Sequence, residues 1–579
     1  MPDKVIVTNM TALKQKYGAA GVKSIQGAVK DLIKADKGRG LTTSLIALDD
    51  ATAMKKLKAT PVKNAGSARQ NKKAIDGVYQ ALVPDYLMIL GAIDVIPHQD
   101  LKNPLYSSDP DGDDDEFAFG DLPYACDVPY SQDVKDFTGP TRVLGRLPDL
   151  TGAQGSPKYI VSLLKTASNW KSSERSEYQN YLGVSAETWL ESTAESLTNL
   201  FGSAKEMQTS PKKGYKWKPK LINRRVHFIN CHGGRAYPNF LGQSVADNDD
   251  YPVSHMAAFI GAKGNIAEGT VVAAECCYGG ELYDPAAADD NQMGICNTYL
   301  DKKAYAFFGS TTTAYGPAKG NDQADLICQY FLQRILAGSS TGRAALEARQ
   351  RFVEKSSPLS PTNQKTLAQF NLYGDPSISP VSVESSNVAV GTKAKAPMKK
   401  GIGGAKSIPA DSYFNGAMAT EIAERRVTLR AKGMMLSQLQ PAMSRSETGP
   451  PKGVESSLKK RMSELNCRPT SSISFEVEST PAPDNVPKTA MAKGITKAFA
   501  AKKSSTTAFH VMIGTRNLPQ TQAKGLPKGG ASKGTAKGFI KGAGEKESEQ
   551  GKFSVRKLVV LEAKEVEGKI VSVTESHSK

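Results

Sequence analysis

Short apolar runs recur through the first two-thirds of the chain, each closed by glycine or turn residues, with stretches of helical spacing between them. Lys4–Thr8 is β-rich and leads into a helical pattern through Ala35. Ser44–Leu48, Tyr86–Leu90, Thr141–Leu144, Val226–Ile229, Thr270–Ala274 and Ala304–Phe308 read as further strands. Lys72–Leu82, Pro157–Trp170, Ala186–Phe201 and Gln323–Ala337 read as helices by their apolar spacing. Strands alternating with helices predict an α/β fold with a mostly parallel, helix-covered sheet. After about Ser385 the pattern gives way to Gly, Lys, Ala and Pro, with irregular Lys-Gly pairs at 400–401, 493–494, 524–525, 528–529, 533–534 and 537–538. Such a stretch is low-complexity rather than a structural repeat. Alternation returns at Ile473–Val477, Phe509–Ile513, Ser554–Leu561 and Lys569–Val573. The expected organisation is an α/β subdomain over 1–150, a second over 151–385, a basic flexible linker over 386–467, and a small β-rich module over 468–579 broken by a Lys/Gly-rich loop.

Composition narrows the class. A chain of 579 residues can build several domains and at least one large core. No apolar run approaches the 18–20 residues that span a bilayer, and the opening Met-Pro-Asp-Lys-Val-Ile-Val-Thr-Asn lacks the apolar stretch of a secretory signal. The seven cysteines are odd in number, and Cys276 and Cys277 are adjacent, a spacing that strains a disulfide. Reduced thiols and a cytoplasmic location are the expectation. The net charge of +17 is carried entirely by the tail: residues 386–579 hold 33 Lys+Arg against 16 Asp+Glu, leaving 42 of each in residues 1–385. An acidic partner for the tail is one reading, whether a regulatory protein, a nucleic acid or a membrane surface. The tail has few aromatics on which bases could stack, and a solvated Lys-rich segment is the plain alternative.

Two apolar runs end in residues capable of chemistry. Residues 226–234 read Val-His-Phe-Ile-Asn-Cys-His-Gly-Gly, and 271–280 read Val-Val-Ala-Ala-Glu-Cys-Cys-Tyr-Gly-Gly. His232 and Cys277 lie 45 positions apart, close to the caspase-like order of a histidine about 50 residues before the cysteine. At the carboxyl ends of neighbouring parallel strands they would meet where α/β sheets hold ligands. A thiol peptidase needs a thiolate, a proton carrier and donors for the oxyanion. Cys277 fits the first role and His232 the second; the amides of Gly233 and Cys277 are the expected oxyanion donors. Strand alternation allows only one of Cys276 and Cys277 to face the cleft, and puts His227 on the face opposite His232. His98 ends another strand-like run. Glu275 reads as structural, and Glu281, Asp284 and Arg235 are the charged residues flanking the site from which a specificity pocket could draw. The spacing of Cys231, His232, Cys276, Cys277 and Cys296 does not match structural zinc motifs. Asp109, Asp111 and Asp113 alternate as at the start of a calcium loop, without the later glycine and glutamate in register.

Several segments together resemble gingipain-type cysteine peptidases, in the group that includes caspases and legumains. The His232-Gly233 pair after an apolar strand is similar to that group's histidine motif. Glu275-Cys276-Cys277-Tyr278-Gly279-Gly280 is similar to the legumain pattern Glu-Ala-Cys-Glu-Ser-Gly, which aligns Cys277 with the nucleophile. Tyr86-Leu-Met-Ile-Leu-Gly-Ala-Ile-Asp-Val-Ile-Pro97, Arg142-Val-Leu-Gly-Arg-Leu-Pro148, Phe308-Gly-Ser-Thr-Thr-Thr-Ala-Tyr-Gly-Pro317 and Asn371-Leu-Tyr-Gly-Asp-Pro376 resemble further gingipain segments, in order. The resemblance covers most of residues 1–385 and none of the tail. It implies a caspase-like α/β/α sandwich in two subdomains with catalysis in the second. It also implies that Ser310, Thr311 and Tyr315 line the substrate pocket and that the substrate is a protein or peptide; no cofactor is expected to be required, and calcium-binding loops of gingipain-like enzymes make Asp109, Asp111 and Asp113 a candidate structural calcium site, with a solvated acidic loop as the alternative. The cysteine doublet, Cys231 beside the histidine and the lack of a recognisable prosegment depart from the family. The expected activity is peptide-bond hydrolysis through an acyl-enzyme; the alternative is an inactive caspase-like scaffold whose basic tail binds an acidic partner.

Overall fold

The structure is a computed structural model that describes residues 1–152, 155–210, 217–246, 250–288, 291–382, 428–438, 440–441, 443–477, 507–516 and 557–579. The Lys-Gly pairs noted above lie outside these residues. Ten strands form one sheet in the order Thr43–Ala47, Lys4–Thr8, Tyr86–Leu90, Leu144–Leu147, Phe370–Tyr373, Ala306–Ser310, Val271–Ala274, Val226–Asn230, Tyr181–Ala186, Gln208–Ser210. Every pairing is parallel except that between Phe370–Tyr373 and Ala306–Ser310. This seam joins two five-stranded halves that run in opposite directions. The sheet is continuous across the boundary expected near residue 150, and Phe370–Tyr373, late in the chain, completes the first half.

The strands are apolar because both of their faces are covered, as in most parallel sheets. In the second half, Val226, Phe228, Val271, Ala273 and Phe308 pack with Phe331, Ala345 and Leu367 of helices Gln323–Leu336, Thr341–Ser356 and Pro361–Gln369. Ile229, Val272, Ala274 and Phe307 face the other way, onto Tyr299 and Leu164 of helices Ile295–Asp301 and Lys158–Asn169. The long helix Met10–Gly38 starts at Asn9, whose side chain accepts from the Ala12 amide, and buries Leu13, Tyr17, Ile25, Val29 and Leu32 along one stripe. Helices therefore cover both faces, in an α/β arrangement consistent with an α/β/α sandwich.

The C-terminal residues form a six-stranded antiparallel sheet: Met443–Arg445, Arg468–Val477, Thr507–Thr515, Leu558–Val566, Lys569–Ser578 and, from the first part of the chain, Tyr315–Gly316. Side chains alternate between two cores. Ile473, Phe475, Phe509, Val511, Ile513 and Val560 pack against Leu105 and Tyr315. Met512, Val559, Leu561 and Ala563 pack under Leu458 and Met462 of helix Lys452–Glu464. The described part of the segment expected to be linker, 428–467, is thus folded: it carries a helix at 428–438, the Met443–Arg445 strand and the helix that covers the module. Its Lys and Arg residues hide the apolar stripe at Leu458 and Met462 from a reading by composition. Among the described residues, no helix is long and apolar enough to cross a membrane.

Candidate active site

Val226–Asn230 and Val271–Ala274 pair in register from Val226 opposite Val271 to Ile229 opposite Ala274, so both chains leave the sheet at the same rim. His232 follows one strand and Cys277 the other. The loops touch at Gly233: a Cβ there would lie 1.9 Å from the Cys277 carbonyl oxygen, an approach only glycine permits. Tyr278 turns the chain sharply at φ 55°, a left-handed conformation held by its hydroxyl, which donates to Asp115 Oδ1 at 2.6 Å. Cys276 and Cys277 diverge as alternation requires. Cys276 joins the core on one face with Cys231 and Cys296, its thiol donating to the Ile229 carbonyl; Cys277 joins the other.

The Cys277 sulfur accepts from the Ala314 amide at 3.2 Å. Burial pushes its thiol up to about 12, against the pull of that amide and of Lys365. The backbone of His232 exchanges two 2.8 Å hydrogen bonds with Leu241. Its ring lies 4.5 Å from the Trp189 ring and 5.2 Å from that of Tyr251, centroid to centroid. Nε2–H donates to Gln243 Oε1 at 3.0 Å. An amide oxygen only accepts, so the proton sits on Nε2 and Nδ1 carries the lone pair. Burial lowers the ring to about 3, and the nearby charges of Lys557, His577 and Lys579 push the same way against Gln243. The site therefore holds a neutral thiol and a neutral imidazole, and no hydrogen bond joins Cys277 Sγ to His232.

A third group fills the cleft. The amide of Cys277 donates to the main-chain oxygen of Lys579 at 2.8 Å, and the Lys579 amide donates to the Ala314 carbonyl at 3.0 Å. The Lys579 side chain runs into a closed pocket, where its ammonium meets Glu275 Oε2 at 2.7 Å and Asp325 Oδ2 at 2.6 Å, all three side chains without solvent exposure. It also stands 5.4 Å from the centre of the Trp189 ring, which lies against His232 as well. Asp325 is further held by Asn230 Nδ2 at 3.3 Å. Burial opposes charge on Lys579, but the two carboxylates outweigh it and raise its pKa. Burial and the neighbouring Asp325 raise Glu275 well above the usual carboxylate range. Gly316 opens the way in: a Cβ there would lie 2.1 Å from Lys579 Cε and 2.5 Å from Asp325 Oδ2.

Of the three residues expected to line the pocket, Tyr315 meets the Lys569–Ser578 strand through its main chain, while the hydroxyls of Ser310 and Thr311 are engaged elsewhere. Tyr315 pairs with Ser578 through its main chain, while its hydroxyl donates to Asp113 Oδ2 at 2.9 Å, away from the cleft. Ser310 Oγ donates to the Thr312 carbonyl and Thr311 Oγ1 to those of Phe119 and Gln369, so both shape the turn beneath the site. The Cys277 amide lies against a carbonyl oxygen, whereas the Gly233 amide makes no hydrogen bond among the described residues. The flanking charges face elsewhere: Glu281 accepts from the Ala236 amide, Asp284 from that of Ala286, and Arg235 pairs with Asp115. Glu275, read from sequence as structural, lies at the pocket floor. Asp325, Trp189 and Gln243 were not singled out; they come from separate elements, and no local motif marks them. His227 is buried on the opposite face with Tyr299, and His98 lies by Asp121 in the other half of the sheet.

The calcium expectation does not fit. Asp113 turns inward to Lys365 at 2.6 Å and Tyr315, while Asp109 and Asp111 face Arg468 of the C-terminal module. Each of the three carboxylates thus already has a cation of the chain beside it, Lys365 at Asp113 and Arg468 shared by Asp109 and Asp111. No group of three or more His, Cys, Asp or Glu side chains suited to a metal occurs among the described residues.

A sheet of this kind with a cysteine and a histidine at one rim defines a class, and comparison with known proteins names it. The family model of peptidase family C25 matches residues 2–381, and the chain belongs to that family. It is a cysteine peptidase of the gingipain family. A solved structure described as "Structure of Protease" matches with 14% identity and a TM-score of 0.43, over 65% of this chain and 78% of the other. No curated protein matches the chain.

Proposed function

We propose that the chain hydrolyses peptide bonds with Cys277 as nucleophile and His232 as proton carrier. What supports this reading above all is the main-chain oxygen of Lys579, which accepts from the Cys277 amide as a substrate carbonyl would. In the proposed step the Cys277 S–H proton passes to His232 Nδ1 as sulfur bonds to the carbonyl carbon. The oxygen takes up the negative charge against the Cys277 amide, with the Gly233 amide as second donor. The C–N bond then breaks, and the amine leaves with the proton returned by His232. Water cleaves the thioester by the same route, restoring the thiol. Gln243 is a positioning residue that keeps the lone pair on Nδ1. A protein or peptide is the substrate class, entering as an extended strand along Tyr315–Gly316.

The test is turnover of a peptide library. Cys277→Ala and His232→Ala should each lower kcat/KM by roughly a thousandfold or more, while Cys276→Ala stays within about tenfold because its thiol faces the core. Normal turnover by Cys277→Ala would reject the assignment.

A further inference from the structure

We propose that the Lys569–Ser578 strand with Lys579 is a tethered, substrate-like inhibitor that blocks the peptidase cleft from within the same chain. The proposal rests on the site assignment above, but it concerns what occupies the site rather than what the site does. Four observations carry it. The strand adds to the edge of the peptidase part in antiparallel register, Ser578 opposite Tyr315 and His577 opposite Gly316, the mode by which extended peptides add to a sheet edge. Lys579 then takes the place of the residue that supplies the scissile carbonyl, its oxygen 2.8 Å from the Cys277 amide. Its side chain fills a pocket that matches it, with Gly316 against Cε and the Trp189 ring and two carboxylates around the ammonium. Finally, Gln323 Nε2 donates to Ser576 Oγ at 2.6 Å in a buried contact, so the preceding residues are held as well.

The rest of the module fixes the strand in place. Arg468 reaches Asp111, Thr362 donates to Glu562, and Lys135 donates to the Met443 carbonyl at 2.6 Å, three contacts between the module and the peptidase part. A tether converts binding of the strand into an intramolecular event with a high effective concentration. A free substrate must therefore displace a ligand that is always present. The neutral states of Cys277 and His232 agree with a cleft from which water is excluded while the strand is docked.

The experiment uses the full chain, a variant lacking residues 576–579, and Lys579→Glu, which sets a third carboxylate against Glu275 and Asp325. The first readout is the rate at which iodoacetamide alkylates Cys277, followed by mass spectrometry. The second is hydrolysis of a fluorogenic peptide with lysine before the reporter bond. Alkylation should rise at least tenfold in both variants, and hydrolysis with it, while Lys30→Ala, exposed on helix Met10–Gly38, leaves both unchanged. A synthetic peptide ending Ser-His-Ser-Lys should slow alkylation again in the truncated variant, and one ending in glutamate should not. Equal alkylation in wild type and both variants would overturn the proposal whatever the hydrolysis shows. Faster alkylation with no hydrolysis would leave the inhibitor in place and overturn the Cys277–His232 assignment instead.

Discussion

On the proposed mechanism, two residues bear on the rim without touching the scissile bond. Gln243 holds the His232 proton on Nε2. Gln243→Ala removes that bond and frees the ring to change tautomer, so kcat should fall about ten- to a hundredfold with KM little changed. Gln243→Glu places a carboxylate beside the ring and should instead move the acidic limb of the pH–rate profile upward, because a nearby negative charge favours imidazolium. A profile identical to wild type in Gln243→Glu would argue against the positioning role. Gly316 acts on the pocket: in Gly316→Ala the new methyl occupies space that the lysine stem uses, and kcat/KM for lysine peptides should fall by at least about tenfold, read in the variant lacking residues 576–579. Sequence marks Cys277 and His232 because each ends an apolar run before glycine. It does not mark Asp325, which lies within an ordinary amphipathic helix and joins Glu275 at the Lys579 ammonium only once the chain is folded.

At the scale of elements, two of the segments that resemble gingipain motifs fasten the sheet. Arg146, in the Gly145-Arg146-Leu147-Pro148 segment, is fully buried and forks onto Asp121 at 2.8 and 2.6 Å while also donating to the carbonyls of Gly91 and Ile96. Asp375, in the Gly374-Asp375-Pro376 segment, accepts from Lys4, which also meets Asp36 at 3.1 Å, and so ties the first strand to the segment after Phe370–Tyr373. Gly374, at φ 139°, brings its backbone against the Tyr305 carbonyl, 2.4 Å from where a Cβ would stand. Removing one member of such a pair strands a charge in the core. Asp121→Asn and Lys4→Met should each cost about 3–5 kcal/mol in urea unfolding, whereas the double change Lys4→Met with Asp375→Leu should recover part of the loss. Most strands of the parallel sheet were legible because burial on both faces makes them continuous apolar runs, although the strand expected at Thr141–Leu144 lies at Leu144–Leu147 and shares only Leu144 with it. Tyr181–Ala186 and Phe370–Tyr373 were not, being short runs interrupted by Gly183 and by Asn371. Helices Thr341–Ser356 and Pro361–Gln369 were hidden by buried polar residues such as Arg349 and Lys365, whose partners come from distant segments.

Across the whole molecule, the described part of the basic tail meets the neutral peptidase part through ion pairs as well as apolar packing: Arg430 with Asp127, Lys432 with Glu354, Arg468 with Asp111, and Lys579 with Glu275 and Asp325. Apolar side chains of the module pack on Leu105 and Tyr315, and buried hydrogen bonds surround them. One of these makes the assembly sensitive to pH. Glu562 accepts from Thr362 Oγ1 at 3.1 Å, beside the start of helix Pro361–Gln369. A helix N-terminus favours a carboxylate by about 0.3–2 kcal/mol, but here burial is the larger effect: it raises Glu562 to about 7, with Asp322 adding to the rise and the hydrogen bonds from Ser360 and Thr362 opposing it. The folded protein thus keeps a proton that the unfolded chain releases near the ordinary glutamate value. The stability this supplies is complete below about pH 4.5 and is lost as pH rises through about 7, a change on the order of 3 kcal/mol. Glu281, raised to about 7 by burial, titrates in the same window, so the contribution of Glu562 has to be read by difference. Glu562→Gln keeps the shape and an acceptor without the charge. Relative to wild type it should gain stability between pH 5 and pH 8, measured by urea unfolding at each pH. Because the module carries the strand that covers Cys277, wild type should also show faster Cys277 alkylation at pH 8 than Glu562→Gln at the same pH. Parallel unfolding curves for the two proteins across that range would show that ionisation of Glu562 does not bear on how the module is held.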